Sequence, residues 1–211
     1  MTGLAGLAAA KQKELPDMQN SAALSAEIRD HAAVIRAVAQ DEALLSALDR
    51  ACEICVGALG SGRKLLFCGN GGSAADCQHL ATELTVRFTR DRRALAAIAL
   101  TTDTSALTAI GNDFGFDHLF SRQVEALCQP GDVLLCFSTS GHSRNVILAV
   151  EAARARGAEV IFFGGKDGGA LRGMASVPLV VPSDVTARIQ EVHILFGHIL
   201  CAQIEQRMGL V

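Results

Sequence analysis

A histidine and a glutamate four residues apart, His79 and Glu83, stand in a helical pattern that follows a glycine-rich turn, Gly69-Asn70-Gly71-Gly72. A helix places positions i and i+4 on one face, so the imidazole and the carboxylate are neighbours. Such a pair can move protons or hold a cation. The turn in front of them adds a second capacity. Its glycines let a ligand approach the backbone closely, and free N–H groups at the helix start favour an anion there. Ser73 is suited to the N-cap of that helix. A hydroxyl-rich turn, Ser138-Thr139-Ser140-Gly141-His142-Ser143, precedes another helical pattern. Capping and turn chemistry would use one or two of its four hydroxyls. The excess suits the outer oxygens of a phosphate, bound without a lysine. An anion cradle beside an imidazole and a carboxylate points to chemistry on a phosphorylated small molecule.

The C-terminal helical pattern carries a matching stripe. Gln190, Ile194 and His198 follow one another at steps of four, flanked by Arg188, Glu191 and His193. If this helix faces the first across the ligand turns, His79, Glu83, Gln190 and His198 could surround one divalent ion. Zinc suits two imidazoles and a carboxylate, and the same groups could instead serve as plain acid and base. Spacing alone does not decide whether the helices meet. Neither turn is a Walker A sequence, and GNGGSA does not match the dinucleotide fingerprint.

Strands and helices must position these groups. The apolar run 64–68 before the first turn reads as a buried parallel strand, as do residues 94–100, 132–137, 159–163 and 177–181. Helical patterns lie between them, and Thr101-Thr102-Asp103-Thr104 offers caps for one. Gly111-Asn112-Asp113 reads as a loop and 116–128 as a helix. Ser183-Asp184 reads as the start of a helix running to about Met208. Strands alternating with helices predict a doubly wound, three-layer α/β fold with a five-stranded parallel sheet and a helical N-terminal extension. Ligands then bind at the carboxyl ends of the strands. Two helices, divided at Asp41-Glu42, precede the first strand. Residues 1–20 read as a loose arm and 21–211 as a single domain.

A chain of 211 residues, 50% hydrophobic and 19% charged, fits one well-buried globular domain. Its net charge of −3 gives no reason to expect nucleic acid. The basic run 87–93 reads as a solvated helix end or a subunit contact. Seven cysteines, an odd number set mostly in apolar runs, read as reduced and buried. Cys52 and Cys55 lie within a helical pattern and lack a second pair, so this CxxC is structural. No apolar run is long enough for a membrane span, and the N-terminus makes a poor signal peptide. The expectation is a cytoplasmic protein.

At GNGGSAADCQH, with Glu83 four beyond the histidine, and then at GNDFG, STSGHS and RIQEVHILFGH, the sequence resembles the bacterial phosphoheptose isomerases of the sugar isomerase (SIS) superfamily. The resemblance covers about residues 21–208. It implies an SIS-type, flavodoxin-like fold and a homotetramer whose active sites draw on neighbouring subunits. It implies one zinc ion per subunit, held by His79, Glu83, Gln190 and His198. It implies substrate contacts from Asn70, Gly71, Gly72, Glu83, Asn112, Asp113, Ser138, Thr139, Ser140, Ser143 and Gln190. The implied reaction converts sedoheptulose 7-phosphate into D-glycero-D-manno-heptose 7-phosphate, the first step toward activated heptose for surface polysaccharide such as lipopolysaccharide. Glu83 would be the base and His198 the acid.

Departures from the family pattern are few. His142 stands where asparagine is common and is expected to point to solvent. Leu95 replaces a proline, Ala187 sits at a position that is acidic in some members, and the N-terminal arm is longer than usual. A non-catalytic adaptor of the same superfamily, associating with the replication initiator, is the alternative. A sugar-phosphate-sensing regulatory domain is a third reading, but such modules usually sit beside a DNA-binding domain, and none is expected in this sequence. Retention of His79, Glu83, Gln190 and His198 argues for the enzyme.

Overall fold

The computed structural model describes residues 18–211. The expected arm, residues 1–20, lies outside the described residues except for its last three, which begin the first helix. That helix, α1, spans Met18–Gln40. The chain divides into two compact units between Ala33 and Val34. The first contributes the N-terminal part of α1, and the second, Val34–Val211, holds the sheet and all later helices.

In the second unit α2 (Glu42–Gly60) starts at an Asp41 N-cap, whose carboxylate accepts from the Leu44 N–H. Five parallel strands follow: β1 (Leu65–Gly69), β2 (Ala97–Ala99), β3 (Val133–Ser138), β4 (Glu159–Gly165) and β5 (Val177–Val181). Their order in the sheet is β2-β1-β3-β4-β5. The winding reverses between β1 and β3, where the crevice outside the strand ends forms a ligand site in doubly wound folds. The intervening helices are α3 (Gly72–Thr85), α4 (Thr104–Asp113), α5 (Ser121–Leu127), α6 (Arg144–Ala155) and α7 (Gly169–Arg172), and α8 (Thr186–Arg207) closes the chain.

Strand alternation sorts the apolar residues into two layers. Leu65, Phe67, Leu135, Phe137, Ile161 and Phe163 face α2, α3 and α8, whereas Leu66, Cys68, Leu134, Cys136, Val160 and Phe162 face α5 and α6. Being covered on both faces, β1 and β3 are buried throughout, which is why they read as unbroken apolar runs. All seven cysteines are buried free thiols. Among the described residues no helix is long and apolar enough to cross a membrane.

Four local expectations are corrected. The second strand is only Ala97–Ala99, because the residues before it follow the end of α3, with Leu95 N–H bonded to the Leu84 carbonyl. The helix expected over 116–128 begins as a 3-10 turn, Phe116–His118, after Gly115 at φ +86°, and becomes α-helical only at Ser121. The last helix starts at Thr186 rather than at Ser183-Asp184, the Ser183 hydroxyl accepting from the Val185 N–H just ahead of it. The basic run 87–93 is not wholly solvated, since the Arg92 side chain is only 2% exposed.

Candidate active site

The turn between β1 and α3 is tighter than the sequence suggested. Gly71, at φ +57°, is the residue before the helix, and α3 begins at Gly72. Ser73, expected as the N-cap, lies buried inside the first turn, its N–H bonded to the Asn70 carbonyl. Two glycines in succession let the helix start earlier than a serine cap would. Gly72 is required for space rather than for its dihedral angles. A Cβ there would lie 2.7 Å from Nε2 of Gln190, so the glutamine amide of α8 rests on the opening of α3. Asn70 is engaged on its other side, where its amide and that of Asn145 bond reciprocally at 2.9 and 2.8 Å. Asn145, in the first turn of α6, is 2% exposed. Sequence reasoning missed it, although a polar residue on the apolar face of a helix was the available signal.

The turn between β3 and α6 is organised by its own hydroxyls. Ser138 Oγ accepts from the Gly141 N–H at 3.2 Å and lies 3.0 Å from Ser143 Oγ, and Ser140 Oγ accepts from the His142 N–H. Gly141 has φ +67°, and a Cβ on it would run into the Gly168 carbonyl. The glycine loop after β4 thus supports the hydroxyl loop backbone to backbone, with Leu171 N–H bonded to the Gly141 carbonyl. Thr139 and Ser140 are partly exposed, and the His142 side chain is on the surface, as expected.

The two helices do meet. His79 Nε2 and His198 Nε2 are 2.9 Å apart, with ring planes inclined at 64°. Glu83 Oε1 lies 3.4 Å from the same His79 nitrogen. Close contact of α3 with α8 makes this possible, because Gly197 has no side chain to hold Leu80 away. The His79 side chain is 49% exposed and that of Glu83 22%, so the cluster opens to solvent. Phe88 stacks on the far side of His198, 5.6 Å between centroids. Asp76, one turn before His79, carries a buried carboxylate oxygen without a hydrogen-bond partner. Burial raises its carboxyl above the usual range, opposed by His79.

Two imidazole nitrogens at this distance can share one proton, or a cation in its place. Among the described residues no three His, Cys, Asp or Glu side chains stand ready as a metal cluster. The two imidazoles and the carboxylate nevertheless suit zinc, with the nitrogens 2.9 Å apart against about 3.3 Å for two ligands of a tetrahedral zinc; Gln190, the fourth expected ligand, instead lies against Gly72, about two turns of α3 before His79.

Asn112 and Asp113 are not in a loop. They close α4, and the Asn112 amide donates to the Asp113 carboxylate at 2.7 Å. Neither is hydrogen-bonded to the other predicted site residues. His193 of α8, read from the sequence only as a flank of the Gln190–His198 stripe, is a core residue. Its Nε2–H donates to the Gly164 carbonyl at the end of β4, and its ring meets Phe137 and Phe163 edge to face. Burial lowers its pKa to about 4, so it is a neutral core histidine.

An SIS domain model matches residues 28–165. The chain is 57% identical to a phosphoheptose isomerase of a Nitratiruptor species, the match covering 72% of this chain and 82% of the relative. It is 52% identical to that of Paramagnetospirillum magneticum, covering 86% of this chain and 94% of the relative. Among solved structures, phosphoheptose isomerase from Neisseria gonorrhoeae superposes with a TM-score of 0.82 at 47% identity, over 90% of this chain and all of that one. With a family model over residues 28–165, the same fold and more than half of the aligned residues identical to those of two of these relatives, the chain belongs to the phosphoheptose isomerase family of SIS-domain enzymes, the aldose–ketose isomerases of heptose biosynthesis.

Proposed function

We propose that the enzyme converts sedoheptulose 7-phosphate into D-glycero-D-manno-heptose 7-phosphate through an enediol. The observation that carries this reading is the convergence of His79, Glu83 and His198 beside the turn on which Gln190 rests. The phosphate is held by the N–H groups and hydroxyls of Ser138, Thr139, Ser140 and Ser143 at the start of α6. Asn70, Gly71 and Gly72 cradle the sugar end, and Gln190 donates to its oxygens. Asn112 and Asp113, whose side chains bond to each other in the free chain, are assigned to substrate as well.

In the forward direction the Glu83 carboxylate takes a proton from C1 while His198 donates a proton to the C2 oxygen, which leaves the enediol. His198 then removes the proton from the C1 oxygen, and Glu83 returns its own to C2. Atoms and charge balance, and no redox partner is needed. Oε1 of Glu83 faces His79, which leaves the second oxygen for the carbon-bound proton. His79, Glu83, Gln190 and His198 would hold one zinc ion, which when bound supplies positive charge near the developing enediolate. The openness of the cluster supports a homotetramer in which a neighbouring subunit completes the site and excludes water. The buried free thiols fit a reducing cytoplasm. A non-catalytic adaptor is not favoured, since the acid, the base and both ligand turns are all present.

Exchange of the C1 proton of sedoheptulose 7-phosphate with deuterated solvent tests the reading. Glu83→Gln should abolish exchange while the fold is retained, and normal exchange would remove Glu83 from the role. Turnover lost on chelation and regained with zinc supports the metal. Turnover indifferent to a verified loss of metal leaves Glu83 and His198 as unaided acid and base.

A further inference from the structure

Beyond the groups assigned to substrate, a buried ion pair reaches into the site from behind. Glu205, on α8 two turns beyond His198, is fully buried. Its carboxylate accepts from the Phe88 and Thr89 N–H groups, each at 3.0 Å, and from Arg92 Nε at 2.9 Å. The Arg92 guanidinium turns its other N–H groups on the end of α3, donating to the carbonyls of Glu83 at 2.8 Å and Leu84 at 2.7 Å. Those carbonyls are among the last of the helix, which have no acceptor role within it. Both carboxylate oxygens and all three guanidinium nitrogens are therefore hydrogen-bonded, the condition under which a buried charge pair is tolerated.

The geometry has two effects on the site. The Phe88 backbone is pinned at Glu205 while its ring reaches back to stack on His198, with planes 26° apart. The Glu83 backbone is pinned by Arg92, fixing the turn of α3 from which its carboxylate projects. We propose that Glu205 and Arg92 are positioning residues of the active site, and that Phe88 is the surface through which they set the plane of the His198 ring. None of the three touches the reacting atoms. They hold acid and base in register from opposite ends of one clamp, and a misplacement of about 1 Å can cost on the order of 100-fold in rate.

The inference rests on His198 being part of the catalytic cluster, so its test includes a signal independent of turnover. The full-length protein is labelled at histidine Cε1, and the His198 resonance is assigned by its loss in His198→Gln. Phe88→Leu should move that resonance downfield, as ring shielding is lost, and lower kcat about tenfold with little change in KM. Phe88→Tyr, which keeps the ring, should restore both. Glu205→Gln should displace the same resonance in the same direction. An unmoved His198 resonance in Phe88→Leu and Glu205→Gln overturns the proposal, whatever happens to stability. A displaced resonance with kcat intact also overturns it, because the orientation of the ring then does not limit turnover, whereas unchanged turnover in His198→Gln is the separate result that would remove His198 from the chemistry.

Discussion

Gly197→Ala tests the contact that brings the two imidazoles together. A Cβ at this position would lie 2.5 Å from Leu80 Cδ2 and 3.0 Å from Cγ. Ordinary carbon–carbon contact is about 3.5–4.0 Å, so roughly 1 Å or more must be found. Leu80 is 1% exposed and cannot swing into solvent. The crowding should cost about 1–3 kcal/mol, while alanine in a helix interior returns at most about 1 kcal/mol over glycine. Crowding wins. His79 adjoins Leu80 and His198 adjoins Gly197, so separation of the helices is transmitted to the 2.9 Å contact. An opening of about 1 Å should lower kcat by up to ~100-fold. Denaturant unfolding and steady-state turnover of sedoheptulose 7-phosphate measure the two effects. Leu80→Ala alone should destabilise by about 2–5 kcal/mol, and the double variant by less than the sum, because the new methyl occupies part of the vacated space. A Gly197→Ala protein that gains stability and keeps its kcat would refute the claim that close helix contact sets the site.

Three further outcomes follow from the packing. His193 has a folded pKa of about 4 against about 6.5 when unfolded, so the unfolded chain binds the extra proton between those values. Its contribution is complete above about pH 6.5 and is lost as pH falls to about 4, roughly 3 kcal/mol in all. His193→Gln, measured by urea unfolding across that range, should flatten this slope. Gly141→Ala forces a side chain into a positive-φ position against the Gly168 carbonyl and should cost at least ~1–3 kcal/mol and raise KM, read by unfolding and turnover. Ser138→Ala removes the acceptor for the Gly141 N–H and the partner of Ser143. It should raise KM about tenfold, equivalent to ~1.4 kcal/mol, with kcat little changed, and weaken inhibition by inorganic phosphate to the same degree.

Much of this architecture was legible because the signals were local. Strands buried on both faces are apolar throughout, and the turns proposed to hold ligand stand out as glycines and hydroxyls at strand ends. His79 and Glu83 declare a shared face by their spacing. The contact with His198 could not be read in this way. It depends on a helix crossing permitted by Gly197 against Leu80, residues that look unremarkable in the chain. Arg92 was misread for a related reason. A run of arginines suggests a solvated face unless an acceptor is known, and the acceptor here is Glu205, more than a hundred residues away. Asn70 was rightly placed in the turn, but its partner Asn145 comes from another strand–helix unit, and only the tertiary fold pairs them.

The amide pair of Asn70 and Asn145 bears on the thermodynamics of substrate binding. It ties the turn after β1 to the helix that begins after β3, so the turn proposed to cradle the sugar and the loop proposed to hold the phosphate are joined before any ligand arrives. Little loop ordering then accompanies binding, and the entropy of fixing these segments is lost during folding instead. A substrate fragment carrying only the phosphate end should therefore meet the same loop geometry as the whole sugar. Its affinity would fall by the missing contacts alone.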